Sequence, residues 1–202
     1  MKKEKSEKYP QIILASSSKT RIKILKKSFK KIQIKKHKIN EKSEKSINKH
    51  LKANELAKHL AKKKAESISD INKAFLIMGC DQTLECNKLI ISKPENCIQA
   101  KKNLMFLSGK KHKLHTCLYV LKEDKEFFIE EVTSELYFKK VSEIQIDKYL
   151  KENKETALNC VGSYKIEDND KYKFLQIISG DNESIVGFPI KKFIEKLESE
   201  NV

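Results

Sequence analysis

Apolar positions follow two rhythms along this chain: short unbroken runs, and longer stretches with apolar residues three and four apart. Gln11 to Ala15 (QIILA) is a run of the first kind and predicts a buried strand. A serine loop follows, then a helix from about Thr20 to Phe29 with Ile22, Leu25 and Phe29 at helical spacing. Ile32 to Ser46 is polar and lysine-rich and reads as a strand followed by an exposed loop. A longer helix is expected from Asn48 to about Ile68, with Leu51, Leu56, Leu60 and Ala57, Ala61, Ala65 on one apolar face.

Ala74 to Met78 predicts a short strand ending at Gly79, which would deliver Cys80, Asp81 and Gln82 to its C-terminal edge. Leu84 to Ile91 reads as a hairpin turning about Cys86 to Lys88, closed by Ser92-Lys93-Pro94 before a helix from Glu95 to Leu107. LSGKKH, Leu107 to His112, marks the helix stop. Two strand stretches come next, Leu114 to Lys122 and Phe127 to Phe138. Ser142 with Gln145 three residues on forms a capping box for a helix through Leu150. The last third holds apolar stretches at Cys160 to Ile166 and Phe174 to Ile178, and a final helix with Ile190, Phe193, Ile194 and Leu197 on one face. Strands and helices alternate without a repeat, which points to the α/β class.

With 202 residues, 39% of them hydrophobic, the chain is expected to form one domain, or one domain with two lobes, around a core of its own. Residues 1–10 read as a charged extension and 11–202 as the domain. The five cysteines are scattered and lack any CxxC pairing, so neither a disulfide framework nor a zinc site is suggested, and a reducing cytoplasm fits best. No apolar run approaches the ~18 residues of a membrane span, and no signal-type stretch follows the charged start. The chain reads as soluble, without a membrane partner.

Lysine and arginine number 43 against 28 acidic residues, a net charge of +15. Such a balance raises nucleic acid as a partner. However, Arg21 is the single arginine, and nucleic-acid surfaces draw on arginine's planar fork to read phosphates and bases. The lysines are spread end to end, so no nucleic-acid partner is expected.

The chain has five glycines and three prolines, so each marks a place of interest. They fall in short polar words: MGCDQ, SKP, LSG, VGSYKIE, SGD and VGFP. Gly109, Gly180 and Gly187 read equally well as plain turns. Asp81 and Lys93, beside their glycine and proline, suggest a site. ILASSSKTR places hydroxyls and backbone N–H groups at a helix start, where an anion is favoured. Arg21, one turn in, could reach a phosphate with a bidentate fork, and Lys64 and Lys93 could add point charges. Asp81 is suited to hold a divalent metal or to take a proton from water. There is no GxxxxGK[ST] word, so this is not a Walker loop.

Taken in order, LASSSKTR (Leu14 to Arg21), LAKKKA (Leu60 to Ala65), MGCDQT (Met78 to Thr83), SKP (Ser92 to Pro94), LSGKKH, IDKYL (Ile146 to Leu150), VGSYKIE (Val161 to Glu167), SGD (Ser179 to Asp181) and VGFP (Val186 to Pro189) resemble the Maf family of nucleotide pyrophosphatases. The resemblance implies an elongated, twisted mixed sheet with flanking helices around a central cleft, akin to the inosine-triphosphatase type. It implies hydrolysis of a nucleoside triphosphate between its α and β phosphates with a divalent metal, Mg2+ or Mn2+, and a homodimer. Carried over, Asp81 is the water-activating base and a metal partner. Ser16, Ser18, Arg21, Lys64 and Lys93 hold phosphates, and Glu41 is a metal ligand.

Three positions that line the base pocket in relatives divide the family. Members acting on dTTP and UTP carry Arg, Thr and Gln there; members resembling the 7-methyl-GTP enzyme carry a bulky residue, Gln and Glu. Thr20, Gln82 and Glu167 stand at these positions here, and the last two side with the 7-methyl-GTP type. The family's SPRR is Ser18-Lys19-Thr20-Arg21, its GKP is SKP, and the glycines expected after Glu167 are replaced by Asp168-Asn169-Asp170. His112 and His115 read as structural, and Cys80 and Cys160 as inert buried thiols. The function expected is therefore a pyrophosphatase that clears modified nucleotides, possible substrates including 7-methyl-GTP. The alternative is a catalytically weak nucleotide-binding regulator of cell division.

Overall fold

The computed structural model describes residues 11–71 and 74–200, so the charged extension at 1–10 lies outside the described residues. Among these, β1 (Ile12–Ala15) is buried at every position, as a continuous apolar run requires when both faces of a strand are covered. It runs parallel to β2 (Ile32–Lys35) on one side and to β3 (Leu76–Cys86) on the other, with Ile12 opposite Ile32 and Leu76. β5 (Lys110–Lys122), β6 (Lys125–Phe138) and β7 (Leu175–Ser179) complete the path β2-β1-β3-β5-β6-β7, and β4 (Leu89–Ile91) pairs antiparallel with β3. β6 and β7 are antiparallel, so the sheet is mixed and the α/β expectation holds. The helices are α1 (Lys19–Ser28), α2 (Glu41–Ile47), α3 (Ala53–Glu66), α4 (Cys97–Leu107), α5 (Glu143–Glu152), α6 (Lys154–Asn159), α7 (Asn169–Tyr172), α8 (Asn182–Val186) and α9 (Lys191–Ser199).

Two compact units divide the chain. The first takes the described residues of Met1–Asp81, Thr116–Val132 and Gly187–Val202; the second takes Gln82–His115 and Thr133–Val186. In the first unit, alternate residues of β1 serve opposite faces of the sheet. Ile12 and Leu14 pack with Leu25, Phe29, Phe188 and Phe193, beneath α1 and α9. Ile13 and Ala15 pack with Ala57, Ala61, Ala65 and Ile68, along α3. The small residues at every fourth position of α3 let its backbone lie directly on β3. A Cβ added at Gly79 would stand 2.0 Å from the Ala61 carbonyl oxygen and 2.7 Å from the Ala65 nitrogen.

The second unit is built on Leu84, Leu104, Leu107, Leu136, Phe138, Tyr149, Tyr164 and Phe174. His112 belongs to this core, 2% exposed, with Nε2 placed 2.5 Å from the Tyr164 hydroxyl. Burial pushes its pKa from 6.5 down to about 4. His115, half-buried, has Nδ1 at 2.9 Å from the Thr133 hydroxyl.

Three expectations are corrected here. The stretch expected as a loop to Ser46 contains α2, because Asn40 Oδ1 accepts from the Lys42 and Ser43 N–H groups at 3.1 and 3.2 Å and the first turn carries Glu41 and Glu44. This helix buries no side chain, so hydrophobic spacing could not announce it. α3 begins at Ala53 rather than Asn48: the Glu55 carboxylate turns back to accept from the Lys52 N–H at 2.8 Å, setting the first turn there. β3 does not stop at Gly79 but continues to Cys86, so Asp81 and Gln82 are mid-strand. Gly79 is selected by the approaching helix, not by a strand end.

Gly79→Ala is therefore expected to cost about 1–3 kcal/mol by overpacking, measured by urea denaturation. For His112 the folded pKa lies below the unfolded one. Its neutral burial costs nothing above pH 6.5, and stability falls as the pH drops toward about 4. At pH 5 the loss is on the order of 2 kcal/mol, and His112→Gln should flatten this part of the stability profile.

Candidate active site

In the first unit the Gly79 contact brings the last full turn of α3 over β3, so that Lys64 meets Asp81 two residues beyond the glycine. Lys64 is 4% and Asp81 5% exposed, and Lys64 Nζ donates to Asp81 Oδ1 at 2.5 Å. The same ammonium is 2.8 Å from Glu41 Oε1. One buried cation thus joins two carboxylates from different elements. Burial pulls the Lys64 pKa down, but the Asp81 and Glu41 charges outweigh it and leave the pKa raised, so Lys64 stays an ammonium. Asp81 Oδ2 is buried with no hydrogen-bond partner among the described residues. A buried carboxylate oxygen without a partner is costly, and such atoms mark places where a ligand or ion completes the site.

Glu41 reaches this cluster because α2 is tied to α3 by polar contacts instead of a shared core. Glu44 Oε2 is 2.7 Å from His59 Nε2, whose ring nitrogen is 3.2 Å from the Asn48 amide. His37 Nε2 lies 3.2 Å from the same Glu41 oxygen, Oε1. His37 was not singled out from sequence; its spacing four residues before Glu41, just ahead of an Asn-capped helix, was the available signal.

Arg21 makes backbone contacts that its place in the serine word does not announce. Its Nε donates to the Gly187 carbonyl at 3.0 Å and Nη1 to the Cys80 carbonyl at 2.5 Å. The fork therefore straps the backbone next to Asp81 to the VGFP turn, where Cys80 Sγ also donates to Gly187 O at 3.3 Å. Burial raises the Cys80 pKa, and likewise that of Cys160 in the second unit, which leaves neither suited to act as a thiolate. Ser18 caps α1, its Oγ accepting from the Arg21 N–H at 3.4 Å, and its own N–H donates to the buried Ser16 Oγ at 3.1 Å. No acidic side chain occupies the first turn of α1, so its positive end is not neutralised from within the helix. Thr20 is half-buried in that turn.

Gln82, Lys93 and Glu167 belong to the second unit. Gln82 Nε2 donates to the Ser184 and Ile185 carbonyls at 3.0 and 3.1 Å, so its amide nitrogen is committed to holding α8. Lys93 is exposed in the loop after β4, and the residue before it is fixed by Asn103, whose Nδ2 donates to Ser92 O at 3.2 Å and to Ser163 Oγ at 3.3 Å. Asn103 was missed from sequence because a single amide on a helix that otherwise buries apolar residues carries no pattern. Glu167 is exposed in a 3-10 turn, Ile166–Asp168.

The structure thus joins Glu41, Lys64 and Asp81 by direct contacts, with Arg21 bonded to the residue before Asp81. Among the described residues there is no group of three or more His, Cys, Asp or Glu side chains able to hold a metal by themselves. Two carboxylates, however, suit Mg2+ or Mn2+, which bind through one or two carboxylates and take their remaining oxygens from water and phosphate. Glu41 and Asp81, both ion-paired with Lys64, are the residues that would supply such donors.

Among the described residues no helix is long and apolar enough to cross a membrane. The family model for Maf-like protein matches residues 11–200. A dTTP/UTP pyrophosphatase of Bacillus cereus is 31% identical over 192 residues, spanning 95% of this chain and 96% of its own. A 7-methyl-GTP pyrophosphatase of Bartonella henselae is 31% identical over 186 residues, spanning 92% of this chain and 93% of its own. A match of this extent carries the buried cluster and the serine word within it, and the chain belongs to the Maf family.

Proposed function

We propose that this chain is a nucleoside triphosphate pyrophosphatase, a hydrolase that cleaves the α-β phosphoanhydride to release the monophosphate and pyrophosphate. The relatives' names support the reaction class. The observation that carries it here is the buried Asp81, whose Oδ1 is held by Lys64 while Oδ2 has no partner among the described residues. Phosphoryl transfer requires little covalent help from the protein, so positioning and charge stabilisation do most of the work. Asp81 Oδ2 takes the proton from the attacking water. Lys64 fixes the carboxylate's orientation and supplies positive charge toward the phosphates.

Ser16, Ser18 and the start of α1 receive phosphate oxygens, a role that the family resemblance also assigns to Lys93. Arg21 spends two of its five donors on backbone carbonyls, and the remaining donors serve the phosphate. Glu41, with Asp81, would hold Mg2+ or Mn2+, and the metal would supply charge neutralisation and polarise the phosphorus under attack. The family resemblance assigns Thr20, Gln82 and Glu167 to the base. With the Gln82 amide nitrogen committed to α8, discrimination rests chiefly on Glu167, whose carboxylate suits the N–H donors of guanine or the cationic ring of 7-methyl-GTP. The substrate is thus a modified purine nucleotide, and the enzyme acts in the cytoplasm as a homodimer of one Maf-like domain.

Asp81→Asn should lower the rate of pyrophosphate release by about 10²–10⁴ while nucleotide still binds, as read by a coupled pyrophosphate assay and calorimetry. Near-wild-type turnover would remove Asp81 as the base. Chelation should abolish turnover, and added Mg2+ or Mn2+ should restore it. Lys64→Met leaves two carboxylates without their cation and should destabilise the fold by about 3–5 kcal/mol. Because the folded pKa of Lys64 is raised, its contribution is complete below pH 10.5 and is lost only as the pH climbs past the raised value, so the wild type should weaken in that alkaline range.

A further inference from the structure

The turn that carries Glu167 is held by side-chain hydrogen bonds where glycines would leave it loose. Asp168 Oδ2 accepts from the Tyr149 hydroxyl at 3.0 Å. Tyr149 itself is 1% exposed on α5, its ring edge-on to Tyr172 at 4.8 Å and tilted against Phe174 at 5.8 Å. Asn169 clips the turn to the start of β7 by two bonds: its Nδ2 donates to Leu175 O at 2.9 Å, and the Leu175 N–H donates to its Oδ1 at 2.7 Å. The Tyr172 hydroxyl donates to Glu152 Oε2 at 2.5 Å and accepts from Asn153 Nδ2 at 2.7 Å. On the N-terminal side, Tyr164 is buried against His112.

A glycine loop would have to be ordered each time a base bound, whereas this one is ordered during folding. Preorganisation of that kind favours a ligand that needs one carboxylate orientation. Guanine presents two neighbouring N–H donors, which a carboxylate accepts together only in a fixed plane. Uracil and thymine present one, which tolerates a range of angles.

We infer that Tyr149, Asp168 and Asn169 are positioning residues for base selection, holding the Ile166–Asp168 turn so that Glu167 discriminates guanine-class from uracil-class triphosphates. The inference rests on the reading that Glu167 meets the base. Tyr149→Phe deletes the hydroxyl and keeps the ring, and Asp168→Asn weakens the same bond from the solvent side, so one variant remains informative should the other fail to fold. The ratio of kcat/KM for 7-methyl-GTP to that for UTP should fall about tenfold in each variant, with the UTP value kept within about twofold. Glu167→Gln should lower the ratio at least as far. An unchanged ratio in both positioning variants beside a lowered one in Glu167→Gln would overturn the inference alone. An equal loss for both nucleotides would also overturn it, as a purely structural role. An unchanged ratio in Glu167→Gln would overturn the assignment of Glu167 and the inference with it.

Discussion

The close approach of α3 to Gly79 is the constraint on which the candidate site depends. Ala61 and Ala65 touch β3 through their backbones, which fixes the height of the helix over the sheet. Lys64, between those contacts, then has no course but inward, and Asp81 lies where its ammonium ends. Removing a cation and two carboxylates from water is expensive, and their attraction offsets that cost only when the geometry is tight. A cluster kept under those terms is better explained by chemistry than by stability. Asp81 Oδ2, without a partner among the described residues, is the atom the proposed chemistry would use.

The lone arginine finds its explanation in the same neighbourhood. Two carbonyl oxygens from distant segments, Cys80 and Gly187, are bridged by one planar group with donors at fixed separation. A lysine could satisfy one or both from a mobile point charge but could not set their spacing. In a chain that uses lysine for its other side-chain cations, arginine stands where rigidity next to Asp81 is needed.

Much of the fold was legible because burial writes a periodic record. β1, α1, the β3–β4 hairpin, the α5 capping box and α9 followed from apolar spacing and turn chemistry. α2 was invisible because it buries nothing and is held by Asn40, His59 and Lys64, which leave no period in the sequence. The start of α3 was misplaced because a side-chain cap, not the apolar face, decides it. β3 was cut short because glycine within a strand has two meanings, a bend or a close approach, and only the packing of α3 tells them apart. At the site, the residue types around Asp81 were readable, yet the Lys64 bridge to Glu41 and the carbonyl partners of Arg21 join residues far apart in the chain. Those partnerships are set by tertiary packing, and no local word encodes them.

Whether the Asp81, Lys64 and Glu41 cluster serves cleavage between the α and β phosphates is decided by separating the products formed from a panel of standard and methylated nucleoside triphosphates with Mg2+. Equimolar nucleoside monophosphate and pyrophosphate are expected for at least one member of the panel. Nucleoside diphosphate with orthophosphate, or no turnover of any nucleotide despite measurable binding, would rule that role out.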